Sequence, residues 1–273
     1  MIPASGAHTM QAAIPPVDGA SGRNLIRSIE NAALALTFAA TVALPLAEMA
    51  LRASLGFGID GVAALTQNLT LALGMLGAAV AAREERLLTL AVAGFFSGRV
   101  TVIARFASGA ISAAVAALLF LAAAEFVLIE RATGNTLTYA IPVWMAELPL
   151  PIGFALIALR LVTQASPTWG GRFAAFALAL AMVYGVRLAP WPLDQVLVPA
   201  LVVLGAATLL GAQIFVTIGG AALFLLLAQG VPAASVTVNH YSLVVNPSLP
   251  AIPMFTIAGY LLAESGAPRR LVE

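Results

Sequence analysis

The run from Ile29 to Leu51 is 23 residues long. As an α-helix rising about 1.5 Å per residue it reaches about 34 Å, enough to cross a hydrocarbon core of about 30 Å. It is the first of a series. Val62–Ala82, Gly109–Ile129 and Trp144–Val162 are further apolar runs of spanning length, the last opening on a Trp at the level where aromatic belts form. Phe173–Ala189 crosses if Arg187 reaches back to the headgroups. Leu193–Ala228 is a nearly continuous apolar tract, too long for one untilted helix, and it divides near Gly211 into Leu193–Leu210 and Ile214–Ala228. A last segment, Leu249–Ala263, follows a polar stretch around Asn239, His240 and Asn246 that reads as an outer loop. The expectation is an all-α integral membrane protein of about eight crossings.

Composition closes the alternative. Only 9% of the 273 residues are charged, 61% are hydrophobic and the mean hydropathy is +1.00, whereas soluble domains carry roughly 25% charged residues. There is too little polar surface to coat a water-soluble particle. The first apolar run also exceeds the roughly 7 to 15 residues of a signal-peptide core, and more spans follow it. Residues 1–28, with Pro3, Pro15, Pro16 and Asp18, read as a flexible cytoplasmic tail. Leu87–Phe96 is too short to span and is bracketed by Arg83, Arg86, Arg99 and Arg105. Leu87–Phe106 is therefore expected to lie at the interface as an amphipathic helix, with Phe95 and Phe96 entering the acyl region.

Arginine placement orients the bundle, because cytoplasmic loops carry the excess of basic residues. With the N-terminus inside, ten arginines (23, 27, 83, 86, 99, 105, 160, 172, 269 and 270) fall on the cytoplasmic side and three (52, 131 and 187) outside. That split requires an even number of crossings.

Ionisable residues within helices are the usual sign of chemistry in a membrane protein, and here they are few. Glu48 has Arg52 four residues on, the spacing of a helical ion pair. Glu125 and Glu147 fall near the outer ends of their helices, where solvation is expected. Gln67 and Asn68 sit one turn into the second helix and are expected to bond another helix, and Gly74 and Gly77 share a face suited to close helix approach. The chain has no Cys, its two His residues are His8 and His240, and no hydrolase, nucleotide-binding or metalloprotease motif occurs. These features point away from an enzyme and from metal or redox cofactors, and no nucleic-acid partner is expected.

Certain segments resemble a known family. Leu73-Gly74-Met75-Leu76-Gly77-Ala78-Ala79-Val80-Ala81-Ala82-Arg83 with Glu84 to Leu88 resembles the second helix and basic segment of the small membrane subunit of TRAP (tripartite ATP-independent periplasmic) transporters. Leu51-Arg52 before a Gly-rich turn fits as well. Ala140-Ile141-Pro142-Val143-Trp144, continuing through Pro151-Ile152-Gly153-Phe154 to Leu159-Arg160, is similar to that subunit's fourth helix. Leu249-Pro250-Ala251-Ile252-Pro253-Met254-Phe255, Ala258-Gly259 and Gly266 to Val272 resemble the N-terminal part of the large membrane subunit. Where the family often has a Trp and an acidic residue early in helix two and a His after the basic segment, this chain has Leu65 to Asn68 and Arg86.

The resemblance implies a fused permease. Residues 29–165 would be a four-helix small-subunit-like scaffold, residues 166–192 a connector helix, and residues 193–273 the opening helices of a large-subunit-like transport domain, apparently truncated. It also implies import of organic acids, typically carboxylates, delivered by a periplasmic solute-binding protein and coupled to sodium. The setting would be the bacterial inner membrane, with the N-terminus cytoplasmic. The family's substrate and sodium sites lie in later hairpins, so Pro253 and Gly259, like Glu48, Arg52, Gln67, Asn68, Gly74 and Gly77, are structural or interface candidates only. A membrane scaffold or assembly protein that transports nothing is the other reading.

Overall fold

A computed structural model describes residues 20–89, 99–188, 193–246, 259–262 and 264. They form α1 (Ala20–Leu55), α2 (Val62–Arg83), α3 (Arg99–Thr133), α4 (Val143–Glu147), α5 (Pro149–Gln164), α6 (Trp169–Leu188), α7 (Leu193–Leu209), α8 (Ile214–Ala228) and α9 (Ala234–Val244). Among the described residues there is no strand beyond two isolated bridges, so the all-α membrane architecture expected from hydropathy is the one observed. Among the described residues five helical stretches are long and apolar enough to cross a membrane: Leu25–Leu55, Val62–Arg83, Thr101–Thr133, Val143–Gln164 and Trp169–Arg187. At 17 and 15 residues, α7 and α8 each reach only about 23 to 26 Å. They pack on one another as a hairpin, and Gly211 supplies the turn with φ +104. The last proposed crossing, Leu249–Ala263, lies outside the described residues except for 259–262, and Pro253 lies outside them.

α3 is the spine. It packs against α4, α5, α6, α7, α8 and α9, and 61% of its apolar window is buried. The reason is in its side chains: Ala104, Ala110, Ala113, Ala114, Ala116, Ala122 and Ala123 are all buried. Between transmembrane helices no hydrophobic driving force remains, so association depends on close van der Waals contact, which small residues permit. Two glycines allow close approaches of the same kind, Gly109 between α3 and the end of α5 and Gly153 between α5 and α2. A Cβ at Gly109 would stand 2.9 Å from the Ala165 Cβ, and one at Gly153 would stand 2.6 Å from the Met75 Cε.

α1 is the opposite case. It is 36 residues long, packs on α2, and none of its apolar window is buried. Pro45 sits inside it, depriving the Thr41 carbonyl of its usual donor.

Four expectations need correction. First, helix α1 begins at Ala20, so residues 20–28 are not part of a flexible tail; no proline lies between Pro16 and Pro45 to stop it, and the helix runs through Gly22. Second, Leu87–Phe106 is not one interfacial helix. Arg99 to Phe106 open α3, a helix of 35 residues whose length of about 52 Å carries its basic end past the apolar core. Leu88 instead accepts a hydrogen bond from the Ile214 N–H at 3.0 Å, and Phe95 and Phe96 lie outside the described residues. Third, Asn239 and His240 are in α9, packed across α3, not in a loop. Their polar side chains are exposed while Ala234 and Thr237 are buried, a helical periodicity that their sequence neighbourhood of polar residues obscures. Fourth, among the described residues nothing approaches within 4 Å of a Cβ built at Gly74 or Gly77. The close approaches on α2 involve Met75, one residue from that face.

Candidate functional site

Two polar clusters mark the two ends of the bundle. At the first, the C-terminus of α2 and the C-terminal half of α5 meet the first turns of α1. Glu30 stands between two guanidinium groups. Arg83 Nη1 donates to Glu30 Oε2 at 2.8 Å and Arg160 Nη2 donates to Glu30 Oε1. Arg83 also donates to Asn31 Oδ1 at 2.8 Å and to Glu84 Oε1 at 2.9 Å. The remaining donors reach backbone: Arg160 Nη1 bonds the Ala79 carbonyl, and Gln164 Nε2 bonds the Ala82 carbonyl at 2.6 Å. The three charged side chains are only 14–16% exposed, so the carboxylate is held by two cations and shielded from water. Charge-assisted bonds of this kind are about twice as strong as neutral ones. The cluster fastens α1 to α2 and α5, a function that α1's poor apolar packing cannot supply.

Beside it lies a cavity of about 170 Å³ lined by Glu85, Arg105, Ser108, Gln164 and Gln213, among others. Arg105 in its wall is paired with Glu85 at 3.5 Å.

At the opposite end, Asn68 on α2 is the residue that reaches another helix. Its Oδ1 accepts from the Tyr241 hydroxyl on α9 at 3.1 Å, while its Nδ2 donates to the Ala64 carbonyl of its own helix at 2.9 Å. The structure thus gives Asn68, and not Gln67, the interhelical bond. Burial, and after it the neighbouring Glu147 carboxyl, push the Tyr241 phenol above its ordinary range, so it remains a donor at neutral pH. Phe126 lies against the Tyr241 ring at 5.8 Å between centroids.

Glu147 departs from expectation. It is 1% exposed and its Oε2 has no hydrogen-bond partner among the described residues. The short helix α4 turns it inward toward α2 and α3, while Trp144, on the same helix, stacks under Arg131 at 5.4 Å. Length along the chain places Glu147 near a helix end, but α4 is one short turn packed against α2, α3 and α5, and those contacts bury it. Tyr139 and Ala140, just before α4, adopt φ of 60 and 58, an uncommon backbone for residues with a Cβ.

The other charged candidates stand as follows. Glu48 and Arg52 form the i, i+4 pair at 2.6 Å. Glu125 meets Arg187 of α6 at 3.8 Å, both about half-exposed. Gly259 is helical and exposed. Among the described residues no cluster of three His, Asp or Glu side chains converges as a metal site would need.

The residue that sequence reading passed over is Glu30. Its partners Arg83 and Arg160 lie 53 and 130 positions away. The available signal was a carboxylate at the start of the first apolar span, close to Arg23 and Arg27.

The comparisons with known proteins bear on the region that these clusters hold together. No curated protein and no solved structure matches the chain. Residues 41–171 match the family model described as "Tripartite ATP-independent periplasmic transporters, DctQ component". The match runs from the middle of α1 to the first turn of α6 and takes in Asn68, Arg83, Glu147 and Arg160. Over residues 41–171, just under half of its length, the chain is therefore similar to the DctQ membrane component of a tripartite ATP-independent periplasmic transporter.

Proposed function

We propose that this chain is a membrane permease component of a TRAP-type secondary transporter, importing organic acids that a periplasmic solute-binding protein delivers and drawing on a sodium gradient. The observation that carries the reading is the DctQ match over residues 41–171. The fold agrees with a scaffold role for that region. Its helices pack through the alanine face of α3, and Glu30 of α1 binds Arg83 and Arg160 within it. In this reading residues 29–165 form the small-subunit-like scaffold, 166–192 the connector and 193–273 the first helices of a large-subunit-like transport domain. The packing of α7, α8 and α9 on α3 supports a transport part seated on that scaffold. An N-terminus on the cytoplasmic side of the bacterial inner membrane is supported by the gathering of Arg83, Arg105 and Arg160 at one end, with Arg131 and Arg187 at the other.

The test is co-purification followed by transport. The full chain is expressed with its neighbouring genes, and the purified complex is placed in liposomes. Uptake of a labelled carboxylate is expected only with an inward sodium gradient and added binding protein. Stable association with an unrelated enzyme, and no transport subunit, would replace this reading with that of a non-transporting assembly protein.

A further inference from the structure

An apolar cavity of about 510 Å³ opens between α3, α6, α7 and α8, lined by Val115, Met182, Gly185, Ala200 and Leu204 among others. Leu118 and Val186 border it and also border a second cavity of about 290 Å³, which carries Glu125 and Arg187 in its wall. The two adjoin across Leu118 and Val186 and make a groove whose first part is apolar and whose second carries the charged pair. The charges are incompletely matched. Arg187 Nη2 and Glu125 Oε2 stand 3.8 Å apart with side chains 44% and 43% exposed, whereas a charge-assisted N–H···O bond closes to about 2.7–2.9 Å. Helix α6 ends at Leu188, so the pair sits where an apolar span gives way to the headgroup layer.

We propose that this groove is a binding site for a glycerophospholipid whose headgroup carries both a phosphate and a primary ammonium, the chemistry of phosphatidylethanolamine. One acyl chain fills the apolar cavity, the phosphate accepts from Arg187, and the ammonium donates to Glu125. Charge complementarity selects this occupant. An anionic headgroup without a cation leaves Glu125 facing a phosphate. A choline headgroup keeps the cation but has no N–H to donate. A helix from another chain covering the second part would strip water from both charges and offer no partners in return, a costly exchange. The proposal stands apart from the transport reading and survives its failure.

The test is lipid retention by the full chain. The protein is purified from vesicles containing equal amounts of phosphatidylethanolamine, phosphatidylcholine and phosphatidylglycerol, and retained lipid is counted by native mass spectrometry. One charge-assisted hydrogen bond gained in the headgroup predicts about tenfold enrichment of the ethanolamine lipid. Glu125→Gln should abolish the enrichment, whereas Arg187→Gln should lower retention of all three lipids, which share the phosphate, and Arg187→Lys should keep most of that retention. A series of N-methylated ethanolamine lipids on the unaltered chain tests the same point without any variant, and retention should fall as N–H groups are replaced. Equal retention of the three headgroups, preference for the glycerol lipid, or indifference to N-methylation would overturn the proposal.

Discussion

Helices α1 and α3 are similar in length, at 36 and 35 residues, and both are apolar enough to span a bilayer, yet they are held in opposite ways. α3 is packed by alanine-mediated contact over most of its length, with 61% of its apolar window buried, whereas no residue in the corresponding window of α1 is fully buried and the helix is moored at one end by Glu30. The difference teaches that hydrophobicity chooses the solvent, not the neighbour. In lipid a helix gains a fixed position from small-residue packing or from polar bonds, and these two helices each rely mainly on one of the two.

Glu30→Gln should have the largest effect. It leaves Arg83 and Arg160 half-buried without their shared carboxylate, and removal of one partner from such a pair costs about 3 kcal/mol, read as a fall in melting temperature in detergent. Ala116→Leu attacks α3 instead. Ala116 is fully buried beside Ile157 and Leu161, and the added methylenes should cost about 2 kcal/mol through overpacking, where the same change at an exposed α1 position such as Ala50 should cost nothing measurable. Tyr241→Phe removes the hydroxyl bonded to Asn68 and should cost about 0.6 kcal/mol, the ordinary size of an interhelical hydrogen bond in membranes. Glu48→Gln breaks the exposed pair with Arg52 and should shift stability by about 0.3 kcal/mol, an effect that salt reduces.

The same contrast explains how much of the molecule was legible in its sequence. Apolar runs locate themselves: Val62–Ala82 became α2 at Val62–Arg83, Ile214–Ala228 became α8 with the same bounds, and the division at Gly211 holds. Hydropathy is blind to helix that continues into polar residues, which is why the basic opening of α3, the first turns of α1 and the polar α9 were read as other things. It is equally blind to partners. Glu48 and Arg52 were paired correctly because four residues separate them on one helix. The clamp at Glu30 and the inward turn of Glu147 depend on which helices meet, and no local pattern carries that. Gly74 and Gly77 show the converse, since a small-residue spacing permits a close approach without saying that one occurs.

The absence of cysteine makes the central contrast directly measurable. Paired spin labels at Leu36 on α1 and Leu159 on α5, both exposed, report the mooring of α1, and a pair at Val102 on α3 and Phe173 on α6 reports the spine. The account predicts that Glu30→Gln broadens the Leu36–Leu159 distance distribution and leaves the Val102–Phe173 distribution narrow and unshifted. A Leu36–Leu159 distribution unchanged by that substitution would contradict it, and would mean that lipid or packing, not the carboxylate, fixes α1.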